Sequence, residues 1–138
     1  MPHTTTILRE LALTADCLDP DTLEALLQSL GAVRYRQLLD LFASELDQRP
    51  RAIRAALADR DYAHALSAAH SFRGAAASLG AGAVADAARG LEWAIAAAAE
   101  GDRDRVASAL YRLQLASEEA LRFLEGMSKK ARLALAAS

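Results

Sequence analysis

The sequence predicts an all-α fold: an up-and-down antiparallel four-helix bundle with one or two short extra helices at its amino-terminal end. Three observations predict it. Apolar residues recur at helical spacing over long stretches, whereas alternating β-branched runs are nearly absent. Alanine and leucine are abundant, and the 3 prolines and 7 glycines tend to punctuate the periodic stretches. The connections after residues 59, 80 and 100 are short, which forces consecutive long helices to pack antiparallel. With 138 residues, 53% of them hydrophobic, the chain can bury one real core and is too short for two ordinary domains. The expected division is an amino-terminal segment over 1–18, the bundle over 19–126 and a tail over 127–138.

Residues 7–15 (ILRELALTA) have the makings of a brief helix, marginal unless it leans on something. Asp19 before Pro20 is a strong helix start, because the carboxylate accepts orphan backbone N–H groups and proline already has the φ of a first helical residue. That helix runs to Leu30 and is closed by Gly31. The next opens near Ala32 and carries Tyr35, Leu39, Phe42, Leu46, Ile53 and Leu57 in phase across Pro50, so it reads as one long helix kinked at the proline. Asp61 caps a helix from Tyr62, with an apolar stripe of Tyr62, Ala65, Leu66, Ala69, Phe72, Ala76 and Leu79. Gly80 and Gly82 end it and turn the chain. A helix over Ala83–Ala99 buries Val84, Ala88, Leu91 and Ile95. Asp102 then caps a last helix burying Val106, Leu110, Leu113, Ala120 and Leu124, which ends near Gly126.

Charge and composition exclude several functions. A net charge of −2 gives none of the basic surplus that draws a protein to nucleic acid or anionic lipid. Cys17 is the single cysteine, which rules out an internal disulfide and a cysteine-based zinc site. The amino terminus has no secretion-signal pattern, and no apolar run reaches the ~18 residues of a membrane span. A cytoplasmic location is expected. There is no phosphate-binding glycine loop and no kinase motif, so neither ATP binding nor self-phosphorylation is expected. A di-iron bundle needs inward Glu-x-x-His pairs, and neither His64 nor His70 has glutamate three residues before it. His64 reads as an ordinary surface residue, and His3 lies in a terminus expected to be loose.

The stretch that concentrates chemistry is Ala69 to Ala81, AHSFRGAAASLGA. On a helix, His70, Arg73, Gly74 and Ala77 share one side, surrounded by Ser67, Ala75, Ala76 and Ser78. His70 falls roughly 120° from the centre of the apolar stripe, at the flank of the helix and open to solvent. Arg73 is nearer the stripe, its stem along apolar surface and its guanidinium leaning toward His70. By spacing alone, His70 is either a reactive centre on a docking surface or an incidental surface histidine, and Arg73 either a cation serving that centre or half of a weak ion pair. Gly74 costs a helix interior about 1 kcal/mol relative to alanine, so it calls for close approach of a partner or for tight helix packing. Ser78 either bonds a partner or caps a carbonyl of its own helix.

The pattern His70-x-x-Arg73-Gly74 followed by Gly80, with the acidic, leucine-rich helix upstream and the Leu91, Glu92 pair downstream, resembles the signature of histidine phosphotransfer (HPt) domains over roughly residues 20–125. That family more often has lysine where this chain has Arg73, which keeps the charge and changes the geometry from a point to a planar fork.

The resemblance implies that His70 is the phosphoacceptor and Arg73 stabilises phosphoryl charge. It also makes Ser67, Gly74, Ala77 and Ser78 partner-facing and Gly80 structural. It further implies a monomeric phosphocarrier rather than a kinase, passing phosphoryl from the receiver domain of a hybrid sensor kinase to a response regulator. No cofactor is expected, Mg²⁺ belonging to the receiver's acidic site, and neither nucleic acid nor membrane is expected as a partner. The alternatives are a helical adaptor that binds a receiver or kinase without carrying phosphate, and an unrelated interaction bundle. Trp93 points away from the apolar face of its helix, toward a covering element or a partner, unless the helix is turned the other way in the core.

Overall fold

The computed structural model describes residues 17–137, so the brief helix expected over residues 7–15 and His3 lie outside the described residues. Five helices follow in order: α1 (Pro20–Leu30), α2 (Ala32–Ala58), α3 (Tyr62–Ser78), α4 (Gly82–Ala99) and α5 (Val106–Ala137). α2 packs on α3, α3 on α4, α4 on α5, and α5 closes back on α2, while α1 leans on α2 as the short extra helix. The three connections are too short for anything but antiparallel neighbours. Phe72, Ile53, Leu91, Ile95 and Leu113, one or more from each long helix, are completely buried at the centre of this ring.

The caps form where the sequence places them. The Asp19 carboxylate accepts from the Thr22 amide at 3.2 Å and also from its hydroxyl, and these bonds hold Asp19 below the ordinary carboxylate range. Asp61 accepts from the His64 amide at 3.1 Å. α2 continues through Pro50, which is buried in the core-facing stripe with Leu46 and Ile53, so tertiary packing holds the helix across the missing backbone donor.

Four expectations need correction. Gly82 does not turn the chain. It is the first residue of α4, and the positive φ of that turn belongs to Gly80 alone, at 72°. Asp102 does not cap the last helix, because its carboxylate accepts from the Asp104 amide at 3.2 Å in a local turn, and the helix starts at Val106. Gly126 does not end that helix, which runs on to Ala137. A lone glycine weakens a helix by about 1 kcal/mol, less than the packing of Leu124 and Met127 on either side supplies. Leu66 is not core: it is exposed, and Ala68 is buried instead. Phe72, Ala65 and Ala76 set the direction of the buried face, and Leu66 sits about 100° round from its centre.

The α3–α4 pair is lined with small residues, and Ala65, Ala69, Ala76, Ala81 and Ala88 are all fully buried. Such side chains let two helices approach closely. That approach places a short side chain on one helix within reach of its neighbour.

Candidate phosphoryl-transfer site

His70 stands on the outer flank of α3 with its side chain 67% exposed. Its Nδ1 lies 2.8 Å from Glu92 Oε1, contributed by α4. Arg73, one turn after His70, places Nη2 3.0 Å from the same Nδ1, and its Nε is in ion-pair contact with Glu92 Oε2. The Nε–H is not aligned on that oxygen as a hydrogen bond; the contact is one of charge. Glu92 is 12% exposed and Arg73 32%, so the carboxylate is largely withdrawn from water and held by the two groups it touches.

One ring nitrogen cannot both donate to a carboxylate and accept from a guanidinium. The carboxylate has no proton to give, so its short contact requires hydrogen on Nδ1. Nδ1–H therefore donates to Glu92, and Arg73 approaches that edge without bonding the ring. This tautomer leaves Nε2 with a bare lone pair on the exposed edge of the ring. A neutral imidazole with Nε2 open to solvent can attack an electrophile brought by another molecule.

The surroundings are shallow. Ser67, Gly74 and Ala77 are exposed beside His70. The Ser78 hydroxyl donates to the Gly74 carbonyl at 2.9 Å, so in the free chain it caps a carbonyl of its own helix. A Cβ built on Gly74 meets nothing within 4 Å, which removes tight helix packing as the reason for glycine there. Leu66, a turn before His70 on the same flank, adds an exposed apolar residue to it. Gly80 lies at the base of the hairpin: a Cβ there would come 2.8 Å from Asp19 Cβ, and its carbonyl accepts from the Asp19 amide at 2.9 Å. His64 is exposed near the start of α3, away from this cluster. Among the described residues no group of three His, Cys, Asp or Glu side chains stands together as a metal site.

A family model of the Hpt domain matches residues 37–123. The chain belongs to the Hpt domain family. Hpt domains transfer phosphoryl groups on histidine in phosphorelays and interact with receiver domains of two-component systems; they are carriers rather than kinases. No curated protein and no solved structure matches the chain. No helix among the described residues of this Hpt domain is long and apolar enough to cross a membrane.

By sequence, Glu92 figures only in the Leu91, Glu92 pair of the resemblance, without a role. A signal for it was present. In a tight helical hairpin, residues equidistant from the turn lie level, and His70 and Glu92 are each eleven residues from Ala81.

Because nothing fills the space beside Gly74, Gly74→Ala should stabilise the free Hpt domain by about 0.5–1 kcal/mol, the helix-propensity gain. Urea unfolding measures this. A loss of stability would mean that the position is packed after all.

Proposed function

We propose that this Hpt domain is a phosphorelay intermediate with His70 Nε2 as its phosphoacceptor. The observation that carries the reading is the exposed ring whose Nδ1–H is bonded to Glu92, since it supports a free lone pair on the outward nitrogen. In the step, Nε2 attacks the phosphorus of an aspartyl phosphate on a receiver. An N–P bond forms as the O–P bond breaks, and the electron pair leaves with the receiver's aspartate as a carboxylate. The same step in reverse, on a second receiver, returns the ring to its starting state. Phosphoryl flows from the receiver of a hybrid sensor kinase through His70 to a response regulator.

Arg73 contributes charge. Its fork, tied to Glu92 in the resting site, has one edge near the ring and supplies positive potential beside the incoming phosphoryl oxygens. Mg²⁺ is supplied by the receiver, and this chain brings no cofactor of its own. Small residues at Ser67, Gly74 and Ala77 allow the receiver's loops to close over His70, with Ser78 at the edge of that contact and Leu66 as an apolar neighbour. The carrier works as a monomer in the cytoplasm, where both receivers are reached.

The test is to incubate the protein with a panel of phosphorylated receivers and Mg²⁺ and look for acid-labile, base-stable label on the chain. Label from at least one receiver is expected, and none across the panel removes the reading. Glu92 adds a second expectation. Glu92→Ala frees the ring to rotate and to change tautomer, and should lower the single-turnover transfer rate about 10- to 100-fold, the range for losing an orienting partner. Glu92→Gln keeps an oxygen that accepts from Nδ1–H and should recover much of the loss. Equal rates in the alanine variant and the parent would show that Glu92 does not position the ring.

A further inference from the structure

Trp93 is 74% exposed, on the side of α4 that turns away from both the core and Glu92. It borders a groove of about 260 Å³ between α4 and α5. The floor is made of small residues, Gly90, Ala94 and Ala109, and Arg105, in the turn just before α5, and Arg112, on α5, line the other wall. Neither arginine has an ion pair among the described residues, and both are exposed. The one carboxylate that lines the groove, Asp86, is already within 4.0 Å of Arg89. An indole face, an open backbone floor and two guanidinium groups without counter-ions form a surface that is apolar at the centre and positive at the wall.

Charge selects the occupant. A second copy of the chain docked face to face would bring unneutralised arginines against each other. The Lys129, Lys130, Arg132 run of this chain carries the same sign and is repelled likewise. An acidic segment with an aliphatic or aromatic side chain fits both features. Trp93 lies about 100° round α4 from Glu92 with Arg89 and Ala96 between them, and the groove opens beyond it on the α5 side, so a partner seated on His70 reaches the groove by wrapping round α4.

We infer that the α4–α5 groove is a second anchor point for the receiver-bearing partner, taking an acidic segment of it against Trp93, Arg105 and Arg112 while His70 reacts. This rests on the relay reading above. Tryptophan and arginine are the residue types that most often dominate binding energy, and rim charges set recognition more than chemistry. The groove therefore affects which receiver docks and leaves the transfer step alone.

The experiment uses a receiver that phosphorylates the parent protein. Two variants change the groove and spare Trp93. Gly90→Leu fills the floor, where a Cβ meets nothing within 4 Å, and the Arg105→Ser, Arg112→Ser pair removes the charge. Each should raise KM for the phosphorylated receiver at least about tenfold, with the saturating transfer rate within about twofold of the parent. In His70→Gln protein carrying 5-fluorotryptophan, the fluorine resonance of Trp93, the single tryptophan, should shift on adding the unlabelled receiver. Parent-like KM in either variant, or an unmoved resonance, overturns the inference while leaving the relay reading intact. If no receiver phosphorylates the parent, the relay reading itself fails and the groove assignment falls with it.

Discussion

His70→Gln protein is expected to acquire no acid-labile label from a phosphorylated receiver that labels the parent to completion. Glutamine is close to histidine in length and its amide can still donate to Glu92, so the neighbourhood of α3 and α4 is preserved while the nucleophilic lone pair is lost. The side chain is 67% exposed and outside the core, so stability should stay within about 0.5 kcal/mol of the parent. Label transfer read beside a urea melt separates lost chemistry from lost fold. ³¹P spectroscopy of the labelled parent should place phosphorus on Nε2, the nitrogen that Glu92 leaves bare. Label on the glutamine variant would move the acceptor elsewhere, with His64 the first residue to examine.

Gly80→Ala should lose roughly 2–5 kcal/mol of stability, and two separate penalties add up to that. The residue has φ 72°, a left-handed conformation that costs an L side chain roughly 1–2 kcal/mol. Its new methyl would also stand 2.8 Å from Asp19 Cβ, with the Asp19 backbone nitrogen and Thr22 Cβ both at 3.1 Å. These atoms belong to a helix cap and cannot swing aside, so relief requires shifting the start of α1, an overpacking cost of about 1–3 kcal/mol. Urea unfolding at neutral pH reads the difference directly. A loss below about 1 kcal/mol would mean that the α1 cap moves freely and does not lock the α3–α4 turn. Gly74 and Gly80 lie six residues apart and should respond in opposite directions, because one has empty space and the other a fixed neighbour.

Much of the fold was legible because its signals are local. Asp19 with Pro20 and Asp61 before Tyr62 start helices by satisfying their own backbone, and the stripe through Phe42, Leu46 and Ile53 stays in phase across Pro50. The misreadings are places where a local rule met a longer-range force. Gly126 resembles a stop until Leu124 and Met127 are seen to be packed, and Asp102 resembles a cap until its carboxylate is seen bonding Asp104. Leu66 looked like core because hydrophobicity alone does not say which side of a helix a neighbour covers.

By itself, the sequence determined that this chain is a bundle of amphipathic helices with one histidine, Arg73 and Gly74 on a common helix flank, since periodicity and capping depend only on residues within a few positions of each other. Tertiary structure alone decided that α4 brings Glu92 to 2.8 Å from Nδ1 of His70, that Arg73 is tied to the same carboxylate, and that Trp93 stays outside the core. Contacts between helices depend on how closely alanine-lined faces approach and on where the turn at Gly80 sets their register, and neither is written in the spacing of any one segment.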